Sequence, residues 1–357
     1  MKISKKLAVC LALSAAISPV LLEGRTIDMG TDYKTRGELG VGYNLSDTVQ
    51  NLTLAFRTWN GEWTPVEVFF EKGYTGDGSN GSGVYNITKL QIDGGNYDDG
   101  FDNYQRCVLN IGAGAKVNMS DSGNISGALY ATDADISMTY LNLNAYGIFK
   151  MQGGKLSLTG GDTVYSYKLA GKMTLNDVDF NANFKVVIDG GNYGASVSNN
   201  YQGYDLNMAE VVFSGNTTFK GTELIVDDTN KLSLLDSASV KVNSLSASNL
   251  IVSSGAKVEV YSASELSIEN LNIILDDLSP LEFSEIFSSS DGDTIVFSDK
   301  LTNITVSNSS GEPYDNVLFS YDADGNVIGI AAVPEPATFA AVFGALALAF
   351  AAYRKRR

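Results

Sequence analysis

Histidine is absent from the 357 residues. Its absence removes Ser-His-Asp and Cys-His nucleophilic catalysis and the common zinc sites built on imidazole. Only two cysteines occur, Cys10 and Cys107. Cys10 lies in an N-terminal apolar run expected to be removed, and the residue before it, Val9, is too large for a lipobox. Cys107 is then left alone, no internal disulfide is open to the chain, and packing with backbone pairing must hold it together. Between Arg106 and Val108, it reads as a buried small hydrophobe. Proline is scarce too. From Trp63 to Leu281 only Pro65 and Pro280 occur, so hydrogen-bonded ladders can run without missing donors.

Positive charge is the next shortage. The chain holds 25 Lys and Arg against 41 Asp and Glu, a net of −16. Setting aside Lys2, Lys5, Lys6, Glu23 and Arg354–Arg357, residues 25–353 keep 18 basic and 40 acidic groups, a net of −22. Phosphate neutralisation needs clustered cations, so nucleic acid is excluded as a partner. Helical periodicity is missing from the body as well.

Short alternating runs take its place: Leu52-Thr53-Leu54, Val66-Glu67-Val68, Leu90-Gln91-Ile92, Leu156-Ser157-Leu158, Met173-Thr174-Leu175, Val186-Val187-Ile188, Leu224-Ile225-Val226, Leu232-Ser233-Leu234, Val258-Glu259-Val260 and Leu266-Ser267-Ile268. Each puts two apolar side chains on one face of a short strand. Gly, Asn, Asp and Ser stand between them as turn formers. Two internal repeats point to stacked units. Ile92-Asp93-Gly94-Gly95-Asn96-Tyr97 returns as Ile188-Asp189-Gly190-Gly191-Asn192-Tyr193, followed in both copies by Asn-Tyr-Gln, at residues 103–105 and 200–202. Gly114-Ala115-Lys116-Val117 returns as Gly255-Ala256-Lys257-Val258. The expected fold is all-β: a parallel β-solenoid, or β-helix-like body, over residues 84–332, whose coils bury their apolar pairs by stacking.

Residues 25–83 differ, with Trp59, Trp63, Phe56, Phe69 and Phe70; they read as an N-terminal β cap over the first coil. Ile295-Val296-Phe297, Ile304-Thr305-Val306, Val317-Leu318-Phe319 and Val327-Ile328-Gly329-Ile330 read as closing strands, with Asp324-Gly325 as a hairpin turn.

The candidates for chemistry are carboxylates. Asp93, Asp98, Asp99 and Asp102 share a Gly-rich loop of the kind that can hold Ca²⁺. Their spacing matches no EF-hand loop and no Gly-Gly-x-Gly-x-Asp repeat. The second copy keeps Asp189 and Asp205 but has Gly194, Ala195 and Ser196 where acids stood, which favours a solvated turn. Asp322-Ala323-Asp324-Gly325-Asn326 lacks a distal Glu. Asp227-Asp228 and Asp276-Asp277 are adjacent pairs whose members face opposite ways on a strand, so neither pair is a glycosidase couple by itself. No catalytic, cofactor or metal residue is assigned, and no enzyme activity or cofactor is expected.

The termini carry the remaining signal. Lys2, Lys5 and Lys6 precede the apolar run 7–22, as in a secretory signal peptide over residues 1–24. At the other end, Val333-Pro334-Glu335-Pro336 precedes the sixteen uncharged residues 338–353 and then Arg354-Lys355-Arg356-Arg357. As a helix this run reaches about 24 Å at ~1.5 Å per residue, slightly short of a ~30 Å hydrocarbon core, and flanking Phe339, Tyr353 and Arg354 extend the reach. The four cations hold the tail on the cytoplasmic side.

Residues 333–357 resemble the PEP-CTERM sorting domain of exported proteins in Gram-negative bacteria. Pro334, Glu335 and Pro336 match the signature, and the short helix and basic end match the rest. The resemblance implies recognition by an exosortase, a membrane-embedded transpeptidase-like enzyme. It also implies anchoring in the inner membrane before processing, delivery to the cell surface or extracellular matrix, and an association with exopolysaccharide. A plain tail anchor is the alternative for the segment. For the body, the alternatives are a carbohydrate-active β-helix enzyme and an autotransporter-like adhesin module.

Overall fold

The computed structural model describes residues 49–333 except 55–56, 60–61, 65–66, 71–82, 95–105, 146, 161–166, 191–199, 202–203, 206–208, 228, 276, 278, 296, 298–302 and 315. The expected signal peptide, and the sorting segment after Val333, lie outside the described residues.

The alternating runs become strands that stack in three columns, each strand pairing in parallel with the one a coil later. The first face holds Glu67–Phe70, Val108–Ile111, 128–132, 148–152, Lys172–Asn176, Glu210–Ser214, Lys231–Leu234, 250–253, 270–275 and Asn303–Asn308. The second holds 84–87, 116–119, 135–138, 155–158, Asp179–Ala182, Thr218–Lys220, Ser239–Lys241, Lys257–Val260 and Phe287–Ser289. The third holds Val49–Leu54, 90–92, 123–125, 141–143, Tyr167–Leu169, Val186–Ile188, Glu223–Val226, 245–247 and 266–268. The chain visits the faces in that order, making a three-sided parallel β-helix. Where nothing is inserted a coil takes 18 to 21 residues, as Val240 opposite Val258 and Val211 opposite Leu232 show.

Alternation decides what each strand buries. On the second face Tyr85, Val117, Ile136, Leu156, Phe180, Phe219, Val240, Val258 and Phe287 stand one above another, each buried and each the register partner of the next. Each fully buried side chain of this kind contributes about 1.5–3 kcal/mol, and only stacking provides the burial. Phe180 packs on Phe219 and Phe213 with ring centroids 4.7 and 6.0 Å away. Outward residues form polar ladders instead, such as Asn118 donating to Asn86 at 2.9 Å. Among the described residues the ion pairs Lys89–Asp121, Lys116–Asp135, Lys185–Glu223 and Lys241–Glu259 each join neighbouring coils. Exposed pairs of this kind contribute little to stability individually.

Helix is confined, among the described residues, to two single 3₁₀ turns, Ala263–Glu265 and Phe283–Glu285. No helix of the described residues is long and apolar enough to cross a membrane. Cys107 is fully buried, as the sequence implies.

The ladder begins earlier than residue 84. Val49–Leu54 and Glu67–Phe70 already pair with the following coil, while the small antiparallel hairpin of Arg57–Trp59 and Glu62–Thr64 stands apart from it. At the far end the expectation for Ile295 to Phe297 fails, because Ile295 and Phe297 belong to no strand. Phe297 instead turns in with Phe283 and Phe287, centroids 5.1 Å from both, and plugs the end of the core. An antiparallel sheet covers this plug: Leu281–Glu282, then Val327–Ala332, then Val317–Tyr321 at its edge. Leu281, Ile330 and Ala332 are its buried contributions.

Candidate functional site

Of the sorting-signal residues, the described structure holds Val333 alone. It continues the ladder of the closing sheet: its N–H donates to the Asn316 carbonyl at 3.0 Å. Pro334 follows and has no backbone N–H to donate. Ala331 and Ala332 belong to the last strand, so the body reaches closer to the Pro-Glu-Pro segment than the sequence suggests. Pro334, Glu335, Pro336, Arg354, Lys355, Arg356 and Arg357 lie outside the described residues.

The carboxylate candidates fall into place as parts of corners. The two Ile-Asp-Gly-Gly-Asn-Tyr copies begin at equivalent positions: Ile92 and Ile188 each end a third-face strand, and a long excursion follows before the first face resumes at Val108 and Glu210. The two necks are closed differently. In the first, the Asp93 N–H donates to the Leu54 carbonyl at 2.9 Å, Cys107 N–H donates to the Asp93 carbonyl at 3.1 Å, and Gly94 bridges Arg106 in antiparallel fashion. The Asp93 carboxylate accepts from Gln91 Nε2 at 2.8 Å. In the second, one side chain from the next coil joins both ends: Asn230 Oδ1 accepts from Gly190 N–H at 2.9 Å and from Ala209 N–H at 2.7 Å, while its Nδ2 donates to the Asp227 carbonyl. Asn230 is buried. Without it two amides at the neck would be stranded in a dry corner. Asp98, Asp99 and Asp102 lie outside the described residues.

Asp227 and Asp277 are both exposed turn residues; the Asp277 carboxylate accepts from Ser279 N–H at 2.7 Å. Their sequence neighbours Asp228 and Asp276 are not described. Asp322 closes the hairpin turn, its carboxylate accepting from Asn326 Nδ2 at 2.8 Å and from the amides of Asn326 and Asp324. These donors, the Asn326 side chain first, hold its carboxyl below the usual range. The Asp322–Asn326 stretch is therefore a turn in which the Asp322 carboxylate is already engaged. No group of three or more His, Cys, Asp or Glu able to hold a metal occurs among the described residues.

A further acidic column joins the first face to the second. Gly114, Asp133, Gly153, Asp177, Gly215 and Asp236 occupy this corner on successive coils, all with positive φ between 44° and 74°. Glycine and aspartate alternate for a steric reason. A Cβ on Gly153 would sit 2.0 Å from Asp133 Oδ1, and one on Gly215 would sit 2.4 Å from Asp177 Oδ1. The Asp133 and Asp177 carboxylates fill the space that Gly153 and Gly215 leave on the next coil. Asp177 Oδ1 accepts from Asn216 N–H at 2.9 Å, which lowers its pKa, and Asp236 accepts from Gly215 N–H at 2.9 Å. These carboxylates cap backbone amides, as a structural element does.

Asn230 carries no sequence signal, since asparagine is common throughout the body. The Gly/Asp alternation becomes visible only when the sequence is cut into coils. No family model, curated protein or solved structure matches the chain.

Proposed function

We propose that this chain is an exported, non-enzymatic structural protein of a bacterial cell envelope or extracellular matrix, sorted through its C-terminal Pro-Glu-Pro segment. The observation that carries the reading is the order of features at the C-terminal end: Pro334-Glu335-Pro336, an uncharged run to Tyr353, and Arg354-Lys355-Arg356-Arg357. Residues 338–353 form the transmembrane helix, residues 1–24 the signal helix, and an exosortase-like enzyme of a Gram-negative inner membrane is the processing partner. Two features of the body fit this role. Its fold is extended and repetitive, and each carboxylate of the Gly/Asp corner for which a partner is described caps a backbone amide. Exopolysaccharide is the expected companion in the matrix.

Replacing Pro334 and Pro336 with Ala keeps the hydrophobicity and removes the rigid extended shape. Mass spectrometry of the C-terminus from native cells should find the wild type shortened beyond the motif and the variant intact in the inner membrane. Identical C-termini and identical locations would reduce the segment to a plain anchor.

A further inference from the structure

The large apolar side chains left in solvent gather at one end of the body. Among the described residues three stand out: Tyr261, Leu318 and Tyr321, at 63, 63 and 59% exposure. Tyr261 follows the strand Lys257–Val260, which pairs with the last second-face strand, Phe287–Ser289. Leu318 and Tyr321 lie on Val317–Tyr321, the edge strand of the closing sheet. Val317 and Phe319 of that strand pack against the core, so Leu318 and Ser320 face outward. A register shift between Ser320 and Tyr321 then re-aims Tyr321 into solvent.

This edge lies beside the exit of the chain. Leu318 is opposite Ala331, and the ladder continues to the pair Asn316 and Val333. Only residues 334–337 separate that pair from the apolar run beginning at Thr338. Fully extended, such a link reaches about 15 Å. A body tied this closely to a membrane helix stays within about 15 Å of the lipid surface, where exposed apolar side chains can reach it. We propose that the closing sheet docks on the membrane through Leu318 and Tyr321, an inference that rests on residues 338–353 being inserted. Leu and Tyr suit the interfacial zone, where an apolar body is buried and a hydroxyl stays wet. Charge selects the kind of surface. Residues 303–333 carry Glu312, Asp315, Asp322 and Asp324 and no Lys or Arg, so anionic headgroups repel this end and a zwitterionic leaflet accepts it.

The test uses the purified full chain, with Cys10 replaced by Ala, in nanodiscs of phosphatidylcholine and phosphatidylethanolamine containing doxyl-labelled lipid, shallow-labelled to read positions 320 and 150 and deep-labelled to read position 345. A nitrobenzoxadiazole probe is attached at Ser320→Cys, at Lys150→Cys on the first face, or at Ala345→Cys in the tail; Cys107 is buried and does not react. The probe should lose emission at positions 320 and 345 but not at 150. Adding Leu318→Ser and Tyr321→Ser should restore emission at 320 and leave 345 quenched. Quenching at 345 with none at 320 overturns the docking and leaves the anchor standing. Quenching at 320 that persists in the double variant also overturns it, because the tether alone then brings the end to the lipid. No quenching at 345 overturns the anchor and the docking together.

Discussion

Two corners of the same coil have opposite characters. Where the first face turns into the second, the central coils use two to four residues, as between Asn176 and Asp179 or Leu234 and Ser239. Where the third face turns into the first, the connection ranges from the single residue between Ile268 and Asn270 to the long excursions after Ile92 and Ile188. The tight corner is closed by stacking: the Asp133 and Asp177 carboxylates fill the space left at Gly153 and Gly215 on the next coil, so an added residue there would disturb two neighbouring coils at once. The open corner is tied at its two neck residues, and the described strands beyond the second neck, Asn200–Tyr201 and Tyr204–Asp205, pair with each other rather than with the ladder. Tolerance to insertion is thus set by how many backbone groups a corner commits to its neighbours.

The strongest way to break this contrast is to insert the same five Gly/Ser residues at each corner. Between Asp177 and Val178 they should remove the stacked turn and lower stability by several kcal/mol, or abolish folding. Between Ala195 and Ser196 they should cost under about 1 kcal/mol, because loop closure depends only logarithmically on length. Urea unfolding of the two proteins would decide; equal losses would mean the corners do not differ.

Asn230→Ala should come next. It strands the Gly190 and Ala209 amides, at about 1–3 kcal/mol for each buried group left unpaired. Hydrogen exchange at those two amides should accelerate while the amides of Met173 and Leu175 stay protected.

The alternation at the tight corner can be tested by inversion. Gly153→Ala should cost about 1–3 kcal/mol from positive φ and from the collision with Asp133. Asp133→Gly in the same protein should recover part of the loss. An additive double-mutant cycle would show that the carboxylate and the glycine are not coupled.

The smallest effects are on pH dependence. Asp177, Asp322 and Glu259 have folded pKa values below their ordinary ones, Glu259 chiefly through Lys241. Their stabilisation is present above the ordinary carboxylate range and is lost as pH falls through the lowered values. Asp177→Asn should flatten the acid limb of a stability–pH profile measured by thermal melting. On the alkaline side, burial pushes the Tyr167 hydroxyl up to about 12, and it donates to the Gly160 carbonyl at 3.1 Å. The phenol resists ionisation in the folded state, so stability should decline from about pH 10 to about 12. Tyr167→Phe should remove that decline; its persistence would assign it to other groups.

Much of the fold is legible in the chain itself. The alternation in Met173-Thr174-Leu175 and Leu232-Ser233-Leu234 names the buried positions, and both prove to be first-face strands. The repeats Gly114–Val117 and Gly255–Val258 lead into the second face, with Ala115, Val117, Ala256 and Val258 buried in both copies. The start of the body and the fate of Phe297 are not legible. Short strands at residues 49–54 and 67–70 look like any aromatic-flanked segment until their partners, up to 41 residues away in register, are known. Of the candidate site, the motif residues are readable, but the proximity of Val333 to a fixed backbone partner is not.

The sequence alone determined that the chain is mostly β, repetitive, acidic and without histidine chemistry, and it carries segments that read as export and sorting signals. These properties follow from composition and from local alternation, which need no knowledge of neighbours. Only the tertiary structure decided the three-sided stacking, the order of the Gly/Asp corner, the Asn230 staple and the exposure of Leu318 and Tyr321 on the edge strand beside Val333. Each depends on which residues meet one coil apart, and insertions of variable length between coils hide that register from the linear chain.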